Sequence, residues 1–366
     1  MAANGAVLTI DLDAIVANYA ALQSKLGDAE LGAVVKADAY GLGIAHVAPA
    51  LWQAGCKSFF IATPREGVGL RQLLPDADIH VLDGLLPGWE EIALAHGLVP
   101  VLNTLNEIGR WSRLCRDQND KLPADIQVDT GMCRLGLTPE NVATLATDDG
   151  TLGPIAVDCL ISHLACSDDA ANPKNEEQRA AFADIAARLP HRRASLAASS
   201  GIFLGPGFHF DLARAGVALF GVNPTPGKPN PMSQVIRLQG RILQVRSVDA
   251  PQTVGYGATH RVDHKCRLAT VAIGYADGYM RSLGNSGIAY IDGHKAPVVG
   301  RVSMDLTTLD VTDVPENLAQ PGALADMIGS DNPIDDVAEK AGTIGYELLT
   351  RLGHRFQRTY VGGGAA

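Results

Sequence analysis

From Leu31 to about residue 214 the chain alternates short, mainly apolar runs with longer stretches whose apolar residues recur every three or four positions. The short runs are 31–35, 58–62 (Ser-Phe-Phe-Ile-Ala), 78–82, 98–102, 124–128, 155–162, 194–198 and a segment within 208–214. They are too short for buried helices and lack polar alternation, as strands covered on both faces do. Helical stretches separate them, among them 44–54, 104–117 and 172–189, the last opened by Asn172-Pro173 and closed by Pro190. Eight strands alternating with helices predict an α/β protein with an N-terminal (β/α)8 TIM-type barrel. An open doubly wound sheet is the competing arrangement, but no G-x-G-x-x-G follows the first of these strands. Upstream, 6–10 reads as a short strand that could pair with either half of the chain. Asp11 then caps a helix marked by Ile15, Tyr19, Leu22 and Leu26.

The pattern changes after Asn223-Pro-Thr-Pro-Gly-Lys-Pro-Asn-Pro231, which places four prolines in nine residues. Beyond it, 234–249, 267–273, 287–291 and 296–311 alternate apolar and polar residues between glycine-containing turns, and helices follow at 334–341 and 343–352. The expected division is a barrel over 1–232 and a C-terminal, mainly-β domain over 233–366. No internal repeat or low-complexity tract is evident.

Composition narrows the function classes. At 366 residues the chain can bury a large core, and 46% hydrophobic with 19% charged residues is ordinary for a globular protein. A net charge of −10 spread along the chain argues against nucleic acid or an anionic membrane as partner. Six cysteines show no C-x-x-C spacing and no metal signature, and are expected to be reduced thiols in a cytoplasmic setting. The N-terminus lacks a basic region and meets Asp11 too early for a signal peptide. No apolar run approaches the ~20 residues of a membrane span.

The candidate chemistry gathers where barrel strands end, which is where barrel enzymes work. Lys36 directly follows the apolar residues Ala33 to Val35, and Ala37-Asp-Ala-Tyr40-Gly-Leu-Gly43 then allows a sharp turn close to a ligand. A lysine ending an apolar strand loses solvation, which favours the neutral, nucleophilic amine that a Schiff-base lysine requires. The fifth strand runs into Asp129-Thr-Gly-Met-Cys-Arg134-Leu-Gly136, the sixth into His163, and the seventh into Ser199-Ser200-Gly201. Hydroxyls and free N–H groups at a helix start suit a phosphate dianion. The eighth carries Arg214-Ala-Gly216-Val217, two of whose backbone N–H groups could add to that site.

These words, in this order, resemble the pyridoxal-phosphate-dependent alanine racemases. Lys-Ala-Asp-Ala-Tyr-Gly is similar to the family's cofactor-lysine motif and Asp-Thr-Gly-Met-x-Arg-Leu-Gly to its arginine motif. The likeness continues through Val254-Gly-Tyr256-Gly-Ala-Thr259, Ala272-Ile-Gly-Tyr275-Ala-Asp-Gly-Tyr279, Gly300-Arg301-Val-Ser-Met304-Asp305, Thr343-Ile-Gly-Tyr346-Glu347 and Arg355-Phe-Gln-Arg-Thr-Tyr360. The resemblance implies pyridoxal 5'-phosphate held by Lys36, Tyr40, His163, Ser200, Arg214, Gly216, Val217 and Tyr346. It implies Lys36 and Tyr256 as catalytic bases on opposite faces of Cα, since racemisation removes a proton from one face and returns it to the other. A phenol ordinarily titrates near ~10, so this role requires surroundings that favour proton release. Arg134 and Met304 are implied to hold the substrate carboxylate, with Tyr275 and Arg301 lining the entry corridor.

Two positions decide more than the rest. The resemblance sets Arg214 against the pyridine nitrogen, where many pyridoxal phosphate enzymes place an acid. A permanent cation cannot accept a proton, so the ring withdraws electrons less strongly, which suits brief deprotonation and discourages transamination. Related decarboxylases with a barrel and a β domain use a carboxylate there. Gln127 departs from the family: many members have a carbamylated lysine at this place. An amide can accept a hydrogen bond from Arg134 but cannot pair with it as an ion.

The expected activity is interconversion of L- and D-alanine, for peptidoglycan or for catabolism, by a homodimer whose Tyr256 and Met304 complete the partner's site. Racemisation of serine, lysine or arginine is the nearest alternative, because substrate choice depends on corridor shape. A non-catalytic pyridoxal-phosphate carrier can share the barrel and Lys36, but such proteins generally lack the second domain and give Tyr256 no purpose.

Overall fold

The computed structural model describes residues 5–363; the first four residues of the N-terminal stretch lie outside them. The strand expected at 6–10 is β1 (Ala6–Asp11), and its alternating burial separates it from the barrel strands. Ala6, Leu8 and Ile10 are buried while the residues between them are partly open, the pattern of a sheet covered on one face. It pairs antiparallel with β10 (Ile236–Val248) and parallel with β18 (Gln357–Val361), so it belongs with the C-terminal sheet. Asp11 then accepts the Ala14 N–H at 2.9 Å and starts helix α1, Leu12–Gln23.

The barrel follows from β2 (Glu30–Val34), β3 (Ser58–Ile61), β4 (Asp78–Val81), β5 (Val99–Leu102), β6 (Pro123–Gln127), β7 (Ala156–Ile161), β8 (Arg193–Ser195) and β9 (Leu212–Ala215). All neighbouring pairs are parallel, and β9 returns to β2. Between β8 and β9 the ring closes through the Ala198–Arg214 bridge and the Ser195 hydroxyl, which donates to the Leu212 carbonyl at 2.6 Å. β8 is shorter than the expected 194–198 because its last residues turn away toward the site, leaving that single bridge.

Near the strands' N-terminal ends the barrel interior holds charge that hydrophobic patterning does not reveal. His80 Nδ1 lies 2.6 Å from Asp125 Oδ2, with both side chains fully buried. Arg193 donates to Asp158 at 2.6 Å and also pairs with Glu30. Each charge has a partner, as burial requires.

Beyond the proline-rich loop the elements are β10, β11 (Gln252–Val254), β12 (His260–Val262), β13 (Cys266–Val271), β14 (Ile288–Ile291), β15 (His294–Pro297), β16 (Thr307–Asp310) and β17 (Leu324–Ile328). The sheet order is β15-β14-β17-β10-β1-β18, with β13 joining β10 and β16 joining β13. The helices expected at 334–341 and 343–352 occur at Ile334–Ala341 and Gly345–Arg351. Strands β17 and β18 and the β11–β12 hairpin were not anticipated. β17 and β18 mix charged residues with apolar ones and pair with strands far away in sequence, while the hairpin strands are only three residues each. Among the described residues, no helix is long and apolar enough to cross a membrane.

Candidate active site

Lys36 follows β2 at the C-terminal mouth of the barrel and is half-buried. The chain beyond it makes a left-handed turn: Ala37, Asp38, Ala39 and Tyr40 all have φ between 54° and 56°. L-residues pay for this geometry at roughly 1 kcal/mol or more apiece, so the surroundings must enforce it. Glu66 does so with one carboxylate. Its Oε1 accepts the Ala37 N–H at 2.7 Å, and Oε2 accepts the Ala62 N–H at 2.8 Å. Asp38 in turn accepts the Ile44 N–H at 2.8 Å.

The turn brings the Tyr40 ring into the barrel mouth, with its centroid 5.0 Å from that of Phe220 and 6.3 Å from that of Tyr346. Burial pushes the Tyr40 phenol up, and burial together with Asp168 and Asp335 pushes Tyr346 up to about 12. Both therefore remain protonated donors. A Cβ at Gly216 would stand 2.4 Å from the Tyr40 hydroxyl, so this approach requires glycine. The Gly216 N–H was expected to face a phosphate. It instead donates to Ser199 Oγ at 3.0 Å, and the Ala218 N–H reaches the same oxygen at 3.3 Å. Ser199 thus orders the turn that leads from Gly216 into Val217. Ser200, itself buried, begins a five-residue 3-10 segment rather than the expected α-helix.

Arg214 is held from beneath. Its Nη1 donates to the Ser195 carbonyl at 2.9 Å and to the Ser195 hydroxyl, and its Nη2 donates to the Ser162 carbonyl at 2.7 Å. The same Nη2 lies 3.5 Å from His163 Nδ1. Burial lowers the guanidinium to about 10, which leaves it cationic at neutral pH. Burial, then the positive charges of Arg214, Arg134 and Lys36, lower His163 to about 3. His163 is therefore a neutral imidazole whose Nδ1 faces a cation as acceptor, which places its proton on Nε2.

Arg134 is exposed on the loop after β6. Asp129 organises that loop by accepting the N–H groups of Gly131, Met132 and Cys133 between 2.8 and 3.2 Å. Burial raises the Asp129 pKa, but these donors outweigh it and hold the carboxyl below its usual range. The Gln127 amide donates to the Leu135 carbonyl at 3.2 Å, so it supports the loop backbone beside Arg134. Asp83, after β4, is a further carboxylate near the mouth. Burial raises it, while Lys36 and Arg134 draw it down. Sequence reasoning missed Glu66, Asp83 and Gln178, and it quoted Thr130 and Ser199 within motifs without the bonds they make here. Glu66 alone left a signal, the Thr63-x-x-Glu66 capping box.

The remaining expected residues cluster on the second domain. Tyr256 is 72% exposed and Met304 54%, with Tyr275 also exposed. Tyr275 and Ala276 donate their N–H groups to the Ser303 and Met304 carbonyls, both at 3.0 Å. The space beside Gly257 is filled by the Arg301 guanidinium. Tyr346 is the member of this half whose ring reaches the barrel residues. One chain therefore carries a barrel mouth with an amine, phenols and a buried cation, and elsewhere an outward-facing surface with an exposed tyrosine.

Comparison with known proteins agrees with both halves. Residues 10–224 match the family model described as alanine racemase, N-terminal domain, and residues 235–360 that of the C-terminal domain. An alanine racemase of Rhodospirillum rubrum is 52% identical over 98% of this chain and 96% of its own length. One of Mesorhizobium japonicum, described as catabolic, is 47% identical over 99% and 95%. The crystal structure of the Bartonella henselae alanine racemase with covalently bound pyridoxal phosphate superposes with a TM-score of 0.94 at 42% identity, covering 98% of this chain and 99% of that one. With both domains matched in order, over nearly the whole length and at such identity, the chain belongs to the alanine racemase family.

Proposed function

We propose that this protein interconverts L- and D-alanine with pyridoxal 5'-phosphate, as a homodimer in which each site takes Lys36 from one subunit and Tyr256 from the other. The observation that carries the reading is Arg214: a buried cation beside a neutral His163, with two serine carbonyls fixing its position. The residues present fit the cofactor. The amine of Lys36 lies at the mouth, and Tyr40, packed close against Gly216 with its ring beside that of Tyr346, offers phenol donors for a phosphate. When bound, the cofactor supplies an aldehyde for amine condensation and an electron-withdrawing ring that acidifies the α-proton.

The chain's own residues then divide the work. Arg214, a cation that can donate to the ring nitrogen but not accept from it, would disfavour protonation of that nitrogen and so limit how far charge spreads into the ring. Arg134, with the Met304 backbone of the partner, holds the substrate carboxylate as a planar fork suits. Lys36 takes the α-proton on one face and Tyr256 on the other. Val217 contributes backbone N–H to the phosphate end, and Tyr275 and Arg301 line the way in. We draw the boundary between the two domains at 232/233.

A dimer is supported by the exposure of Tyr256, Met304 and Ile344, large apolar side chains on one chain's surface. The cytoplasm is supported by six unpaired cysteines. D-alanine formed there would feed the cell wall, or be consumed where the enzyme is catabolic as in the Mesorhizobium relative.

In D2O, proton NMR with single enantiomers of alanine, serine, lysine and arginine should show loss of the α-proton together with the opposite enantiomer, fastest for alanine. Exchange fastest for another amino acid would reassign the substrate, and none with bound cofactor would favour a carrier. Tyr256→Phe is expected to keep the cofactor and lose about 10²-fold or more in turnover, the usual share of a general base. A carrier would be indifferent to that change.

A further inference from the structure

The loop bearing Arg134 and the segment bearing His163 leave different barrel strands, yet one side chain binds both. Gln178, on the helix Lys174–Ala186, is fully buried. Its Oε1 accepts the Ala165 N–H at 2.8 Å, and its Nε2 donates to the His163 carbonyl at 2.9 Å and to Thr130 Oγ1 at 3.1 Å. The acceptor and both donors are used, and the two ends of the amide face different chemistry, so it cannot flip without breaking bonds in a buried place.

The network continues in one sense. Having accepted from Gln178, Thr130 can donate to Ser162 Oγ at 2.8 Å, and Ser162 donates to the Val128 carbonyl, also at 2.8 Å. The backbone carbonyl of Ser162 is the one that receives Arg214 Nη2. A single directed series of hydrogen bonds therefore runs from the helix to the start of the Arg134 loop, and its last side chain shares a residue with the Arg214 anchor. Gln127 offers no ionic restraint on Arg134 and spends its amide on Leu135, so the loop depends on clamps at its backbone.

We propose that Gln178 is a positioning residue for turnover: through Thr130 it sets the Arg134 loop in register with the His163–Arg214 group. The inference rests on the assignment of Arg134 to the substrate carboxylate.

The test uses Gln178→Met, Thr130→Val and Thr130→Ser in the holoenzyme, with Arg134→Ala alongside. Gln178→Met should raise the alanine KM on the order of tenfold in both directions, because placement at the ~1 Å level controls such contacts. Its kcat should change less, and cofactor content and visible absorption should stay as in the parent. Thr130→Val should reproduce the defect, Thr130→Ser should not, and the double variant Gln178→Met with Thr130→Val should be no worse than either alone. A second readout is amide hydrogen exchange of Gly131, Met132 and Cys133 without cofactor, which should quicken in Gln178→Met and Thr130→Val. Should Gln178→Met not fold, Thr130→Val carries both readouts. A KM within about twofold of the parent and unchanged exchange would overturn the proposal. A raised KM in Arg134→Ala with none in Gln178→Met would reject the coupling alone. No change in Arg134→Ala would reject the role of Arg134, and the exchange experiment would still decide whether Gln178 holds its loop.

Discussion

A histidine ringed by three cations behaves differently from one in water, and His163 has a measurable consequence. An unfolded histidine binds its proton below ~6.5, whereas His163 in the fold does so only near about 3. Between those values the unfolded chain carries more protons, so stability falls as pH drops from ~6.5 toward 3 and is complete above that window. The lowered carboxyls of Asp129 and Asp158 act in the same direction, but only below the carboxylate range near ~4. Between about pH 7 and about pH 5, melting curves of the cofactor-free protein carry the imidazole's contribution together with the opposite one from Asp83, Asp125 and Asp335, whose carboxyls burial raises, and comparison with a His163 variant separates the two. His163→Gln should lose less melting temperature across that step than the parent, and an equal loss would show that His163 is not held neutral. At this scale the sequence singled out Lys36, Tyr40, His163, Arg134 and Arg214, because the first four follow strands that patterning locates and Arg214 lies on one. It offered Ser199 only as one of two hydroxyls after the seventh strand, and it was silent on Gln178, an ordinary polar residue until the fold shows what it touches.

Among the elements, the turn after Lys36 carries the most strain and has the clearest support. Glu66 caps the start of Pro64–Leu73 and also grips the Ala37 N–H, so one carboxylate joins a helix start to the turn after Lys36. Glu66→Ala should cost about 1–2 kcal/mol, from hydrogen bonds worth roughly 0.5–1.5 kcal/mol each to the exposed Ala37 N–H and the partly buried Ala62 N–H. Activity should fall with it, as checked by denaturant unfolding and turnover on one preparation; a stable variant with full activity would mean the turn holds itself. The barrel strands were legible because burial on both faces makes them uniformly apolar. The C-terminal strands were harder. β17 and β18 are five residues each, and β18 reads Gln-Arg-Thr-Tyr-Val with four of its residues polar or amphipathic. Its place comes from pairing with β1, more than three hundred residues upstream, and no local pattern carries that information.

Across the whole molecule, the C-terminal sheet supports the barrel's chemistry from outside. Arg358 donates to the Gly41 carbonyl at 2.6 Å and Tyr360 to the Leu42 carbonyl at 2.9 Å. Gly43, at φ 95°, leaves room for the Tyr360 hydroxyl, which a Cβ would meet at 2.2 Å. Arg358→Ala should therefore lower turnover although it lies at the far end of the chain, while Lys295→Ala, an exposed surface change, should not; equal activity would deny the prop. The two halves of the site were both readable as words, but their arrangement was not. Lys36 opens into the barrel mouth of one chain, while Tyr256 points outward from its second domain. That separation makes the central claim, a site shared between subunits, directly measurable. Lys36→Ala and Tyr256→Phe subunits, each inactive alone, would be mixed, dissociated and reassociated, and alanine racemisation followed. A shared site predicts recovery toward about a quarter of wild-type activity, because half the dimers are mixed and one of their two sites is intact. No recovery, with mixed dimers present in native mass spectra, would contradict it.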